Sequence, residues 1–369
     1  MSIAYVVNDG SRSISVIDIS KQEVIATISV GDENEPAFLV FTPDGKLAYL
    51  SISSLGSNTV FVIDVTTHQL IGKITVGGEA GALAINPEGN FVYVIVEADE
   101  GISLVSVIDV STQQVIANVQ VGRAAIFVAF SPNGELAYIL TEVDCLVSVI
   151  EVSTHQVIAS IPVGSIPQFT AFTPDGKIAY VASFLDTTLS VIDVNSHQVI
   201  ATVPIAMAVF SIAFTPDGTL AYVPGNRVVS VIDVATHKVI GTIRVETEPI
   251  SVTFTPDGKI AYVANFGSEG SGDTVSVIDT TKHQVIETIT VGTGPVSISL
   301  TNDGRLAYVP NFGLFGTGNT ISVIDVTRHQ VIATIQVGQA PTNVVIAPDD
   351  DSFRVNRNSK KYAYTIVEP

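Results

Sequence analysis

Apolar positions in this chain come in short runs that a helical period does not explain. Residues 250–291 are representative. An apolar-rich run at 250–255 leads into Pro256-Asp257-Gly258, which puts Pro and Gly where turn chemistry wants them. Further runs follow at 260–263, 274–278 and 284–291, all dominated by Val, Ile, Thr and Tyr. That is strand composition, and no segment carries a 3.6-residue stripe of useful length. Most runs are apolar on both faces, as expected of sheets sandwiched between neighbours.

The same four-strand pattern returns along the whole chain. A Ser-Val-Ile-Asp string or close variant ends in an acid at Asp18, Asp64, Asp109, Glu151, Asp193, Asp233, Asp279 and Asp325. A Thr-Pro-Asp-Gly turn recurs at residues 43–45, 174–176, 216–218 and 256–258, with degenerate copies at 87–89, 132–134, 302–304 and 348–350. A period of about 40–50 residues is that of a propeller blade. Residues 3–30 supply the last three strands of a blade, and residues 342–347 supply a first strand. Joined, they make the eighth. The sequence therefore predicts an all-β, closed eight-bladed β-propeller with four-stranded antiparallel blades and the two terminal segments sharing one blade. The expected organisation is a single domain over 1–350 and a tail over 351–369 that is basic, then apolar.

Ala-Tyr-Val-Ala-Asn (261–265), Thr-Val-Ser-Val-Ile-Asp (274–279) and Val-Ile-Glu-Thr-Ile-Thr-Val-Gly (285–292) resemble the YVTN-repeat β-propeller family. That family includes surface-layer-type repeats and is related to lactonase-like propellers. The resemblance runs over about residues 1–350 and implies the propeller fold. Family members are often seven-bladed, so eight copies depart from the commoner pattern. Their functions are mixed, so no catalytic residue carries over.

The repeat also absorbs residues that would otherwise suggest chemistry. His68, His155, His197, His237, His283 and His329 each lie four residues after a repeat acid, with Gln22 and Gln113 in the equivalent places. One imidazole per blade cannot gather round a single metal ion, whose ligands stand near 2 Å. The histidines therefore read as scaffold, and no metal site or cofactor is expected. The repeat acids read as acceptors for the amides of the turn that follows them. Cys145 stands alone, without an imidazole to activate it, and reads as a packed thiol.

Composition narrows the partners. The chain is 46% hydrophobic and 14% charged, which excludes a disordered chain, and no uncharged apolar run approaches the roughly 20 residues of a membrane span. A net charge of -19 disfavours nucleic acid and anionic membrane. Four basic residues, Arg354, Arg357, Lys360 and Lys361, cluster in the tail. It is read as an extra strand or as a strap across the acidic body. The N-terminus shows no signal-peptide pattern, which fits either a cytoplasmic chain or the mature form of an exported one.

What the repeat leaves over sits on one face, in the connections between second and third strands and between blades. Candidate ligand-binding residues there are Arg123, Phe127, Gln168, Phe210, Arg227, Asn265, Phe266, Asn311 and Phe312, with Met207 and Phe315 nearby. Two functions compete. One is a scaffold that binds a small molecule, peptide or protein on this face. The alternative is a metal-free lyase, cyclase, isomerase or lactone hydrolase acting on a largely apolar substrate. Glu142 and Arg123 are its candidate acid–base pair.

Overall fold

A computed structural model describes residues 2–54, 56–98, 101–205 and 209–348. The tail from 349 and Met207 lie outside the described residues. The strands form eight four-stranded antiparallel sheets, the blades of an eight-bladed β-propeller. Blade 1 combines Ile3–Asn8, Ser13–Asp18 and Glu23–Ser29 with Pro341–Ile346, so the two terminal segments share a sheet as the sequence predicts. The other blades take consecutive strands: blade 2 spans 36–75, blade 3 79–123, blade 4 125–162, blade 5 167–204, blade 6 213–244, blade 7 249–290 and blade 8 299–336.

The chain divides into two compact units. Residues 31–202 carry blades 2 to 5, and residues 1–30 with 203 onward carry blades 6 to 8 and blade 1. Within each unit the core lies between adjacent blades. In the first, Tyr138, Leu140, Val147 and Val149 of blade 4 pack on Phe172, Ala179, Val181 and Ile192 of blade 5. In the second, Tyr262, Val275 and Val277 of blade 7 pack on Ile298, Ala307, Val309 and Ile324 of blade 8. Each large side chain fully buried this way contributes about 1.5–3 kcal/mol. Apolar residues on both faces of the middle strands are thereby accounted for.

The repeated turns are built by their own side chains. In the first-to-second turn of blade 2, Thr42 Oγ1 donates to Asp44 Oδ1 at 2.6 Å, Lys46 N donates to the same oxygen at 3.1 Å, and Gly45 takes a φ of 66°. Asp175, Asp217, Asp257 and Asp303 repeat the first contact. In the third-to-fourth turns, Asp64 Oδ1 accepts from Thr67 N at 2.7 Å, and Asp193 and Asp233 accept likewise from Ser196 and Thr236. These bonds hold the carboxyls below the usual carboxylate range.

Candidate functional site

The residue four after each repeat acid adopts a left-handed backbone, with φ between 52° and 57° for Gln22, Gln113 and the six histidines. Histidine enters this region more readily than most residues. The turn aims the imidazole at the preceding blade. Within the 31–202 unit, Tyr93 Oη lies 2.8 Å from His155 Nδ1, and in the other unit Tyr222 and Tyr262 meet His283 and His329 at 2.8 and 2.7 Å. All three tyrosine side chains are buried; the histidine nitrogen is the partner of the Tyr93 and Tyr222 phenols, and Tyr262 Oη also donates to the Val326 carbonyl at 3.2 Å. Where glutamine replaces histidine the phenol has no partner: Tyr49 faces the blade of Gln113, Tyr308 that of Gln22, and both hydroxyls are buried and unpaired. Tyr138 is unpaired too, although its neighbour carries His197. Burial lowers the His68 and His155 pKa values and raises that of Tyr49 to about 12. Among the described residues no group of His, Cys, Asp and Glu could hold a metal ion.

The face opposite those turns carries the irregular connections. In the 31–202 unit, Arg123 ends the strand Gln114–Arg123, and its Nε and Nη2 donate to Asp144 Oδ1 at 2.8 and 2.6 Å. Its backbone amide donates to Asp144 Oδ2 at 2.8 Å, and the guanidinium holds this carboxyl below the usual range. Glu142, two residues earlier, accepts from Gln168 Nε2 instead. The Glu142–Arg123 pair is therefore not formed, because Asp144 is the residue aligned with the Arg123 amide. Asp186 of blade 5 accepts the amide of Ser165 at 2.7 Å in the same way, which marks both aspartates as braces between blades. Phe127 packs against Phe169, ring centroids 4.9 Å apart, and Cys145 Sγ donates to the Glu142 carbonyl at 3.4 Å.

In the other unit, Asn226 and Arg227 are the two tip residues of a hairpin, both at positive φ, the geometry of a type I′ turn. The Arg227 guanidinium is exposed and makes no ion pair among the described residues. Phe210 is half-buried ahead of the short strand Ala213–Phe214. Asn265 and Asn311 turn inward. Asn265 Nδ2 donates to Thr274 Oγ1 and Ser276 Oγ at 3.1 and 3.0 Å, and Asn311 repeats this with Thr320 and Ser322. Both are 1% exposed, so these amides serve the sheet and are closed to solvent.

Phe266 and Phe312 head twin loops, Asn-Phe-Gly-x-x-Gly-x-Gly, at residues 265–272 and 311–318. The two rings lie 6.4 Å apart. Each loop contains a 3₁₀ turn, Ser268–Gly270 and Leu314–Gly316, with Glu269 and Phe315 at φ 55° and 52°. A Cβ on Gly267 or Gly313 would run into the amide of Gly272 or Gly318, so both glycines are obligatory. The loops differ at their tips: Ser268 and Glu269 in one, Leu314 and Phe315 in the other. Leu314 is 42% exposed and Phe315 70%.

No family model matches this chain, and no curated protein does. Solved structures do. Dihydro-heme d1 dehydrogenase NirN, solved in complex with DHE, is similar over 94% of this chain and 76% of its own, at 18% identity and a TM-score of 0.78. A functionally unknown protein from Desulfotomaculum acetoxidans DSM 771 is similar over 95% of this chain and all of its own, at 14% identity and a TM-score of 0.64. Kuenenia stuttgartiensis hydrazine synthase is similar over 79% of this chain and 95% of its own, at 21% identity and a TM-score of 0.60. The likeness is one of fold. Among the described residues no helix is long and apolar enough to cross a membrane.

Proposed function

We propose that this protein is a binding scaffold that presents the loop at residues 311–318 to a partner with an apolar pocket or face, a peptide or protein. The observation that carries it is Phe315. A bulky aromatic at positive φ is strained, and such strain persists only where the surroundings impose it. Here Gly318 N bonds Phe312 O at 2.6 Å, Thr317 N bonds Leu314 O at 3.2 Å and Ala340 N bonds Gly318 O at 2.7 Å. The tip is thus fixed with two large apolar side chains in water, which lowers the ordering cost of binding, and aromatic anchors dominate binding energies.

The resemblance to YVTN-repeat propellers supports the same reading. Its tyrosine serves the clasp between blades and its asparagine the link to the third strand, so both are spent on the scaffold. Binding is left to the loops.

Peptides selected from a displayed random library on the immobilised protein test this. They are expected to lose affinity by about 10-fold or more on Phe315→Ser and to be unaffected by Ile286→Ser, which removes an exposed side chain from an outer strand. If no selected binder depends on Phe315, the reading fails.

A further inference from the structure

Blade 1 carries small side chains at the end of its outer ladder. Ser13 pairs with Ser29 there, and Ser15 with Thr27. The places of Ser13 and Ser29 are taken by Leu104 and Gln120 in blade 3, Leu146 and Pro162 in blade 4, and Val228 and Arg244 in blade 6. In blade 2, Phe61 and Lys73 stand for Ser15 and Thr27, the ammonium 4.9 Å from the ring centroid. Blade 7 also sets four hydroxyl residues there, Thr274 with Thr290 and Ser276 with Thr288, but serines in place of its two outer threonines leave more space in blade 1.

That space is a cavity of about 480 Å³ between blades 1 and 8, both in the same compact unit. The hydroxyls of Ser11, Ser13, Ser15, Thr27 and Ser29 line it, with Gln336 opposite. Val24 and Val337 add small apolar patches, and no ionisable side chain takes part. Its volume falls in the usual range of small-molecule sites, about 300–1,000 Å³.

Two of these hydroxyls are oriented. Asn8, fully buried, donates through Nδ2 to Ser15 Oγ at 2.9 Å and to Ser13 Oγ at 3.4 Å, and Gly338 N also donates to Ser15 Oγ at 3.4 Å. Each hydroxyl thus accepts from the scaffold and keeps its own proton to give. The lining offers both donors and acceptors, with no net charge. An ion placed there would lose hydration without a counter-charge, and an apolar molecule would strand the hydroxyls.

We propose that this groove binds a neutral polyhydroxylated small molecule, a sugar or polyol. It is a second site, separate from the Phe315 loop. Without an aromatic platform or a charge, its affinity is expected in the millimolar range, about 1 mM.

Amide chemical-shift titration of the whole chain with glucose and with sorbitol tests it, with glucuronate and protonated glucosamine as charged controls. At least one neutral probe is expected to give saturable shifts at Ser15 and Gly338, and the charged probes to bind about 10-fold more weakly. Ser13→Leu, which copies Leu104 and Leu146, fills the groove and is expected to weaken binding by about 10-fold or more while leaving the melting temperature nearly unchanged. Ser29→Gln, which copies Gln120, provides a second variant should the first fold poorly. No saturable shift below about 100 mM, shifts confined to residues away from the groove, or undiminished binding by a folded variant would each overturn the assignment.

Discussion

The tyrosine of each second strand is the same residue in every blade, yet its hydroxyl is not satisfied in every one. Tyr93 and Tyr262 bond His155 and His329, whereas the Tyr49 and Tyr308 hydroxyls are buried and unpaired. Removing a paired hydroxyl costs about 1 kcal/mol, and removing an unpaired buried one relieves a desolvation penalty. Tyr93→Phe and Tyr262→Phe are therefore expected to lower stability by about 1 kcal/mol, and Tyr49→Phe and Tyr308→Phe to leave it unchanged or raise it. Denaturant midpoints at constant m-value measure this, and equal losses in all four variants would contradict the clasp.

At the scale of the element, the outer strands carry a second regularity. In each of the seven outer pairings whose register is described, an isoleucine is skipped: Ile25, Ile71, Ile116, Ile158, Ile240, Ile286 or Ile332, with Val121 skipped as well in blade 3. The skip is a β-bulge, and on an edge strand a bulge twists the free backbone groups away from any second sheet. The bulged isoleucine points out, while its neighbour three places on points in. Ile240 is 55% exposed and Ile243 only 4%. Ile240→Ala is expected to shift stability by no more than about 0.5 kcal/mol, and Ile243→Ala to cost about 2–5 kcal/mol. Urea unfolding of the two variants decides it: comparable costs would mean that the bulge does not set which isoleucine is core. The chain hides this feature, because Val-Ile-x-x-Ile reads as a regular strand and only pairing with the third strand reveals the skipped residue.

For the whole molecule, buried titratable groups set the pH range of stability. Burial holds His68, His155 and His237 below the ordinary value of 6.5. The unfolded chain then binds protons first as pH falls through 6.5, so stability is lost on that side, and further loss follows below 3.8 as the turn aspartates protonate. Tyr49 and five other buried tyrosines are raised above 10, so the unfolded chain ionises first as pH rises through 10 and stability falls again. Melting temperature against pH is expected to show a plateau between about 7 and 9.5 with both limbs falling. The His68→Gln/His155→Gln/His237→Gln variant, which copies Gln22 and Gln113, should flatten the limb between pH 7 and 5. An unflattened limb would remove histidine as its cause.

Blade number, strand order and the sharing of blade 1 by the two terminal segments were all fixed by the sequence, because a repeat enforces the same local turn chemistry eight times and its incomplete copies must complete each other. The place of the histidines was legible for the same reason: a residue tied to a repeat position is tied to its turn. The irregular residues carry no such constraint, and their partners come from other blades. So it took tertiary structure to match Arg123 with Asp144 and Glu142 with Gln168, to turn Asn265 and Asn311 inward, and to leave Phe315 in water. The hydroxyl groove is of the same kind, since a cavity depends on which small side chains two blades set against each other.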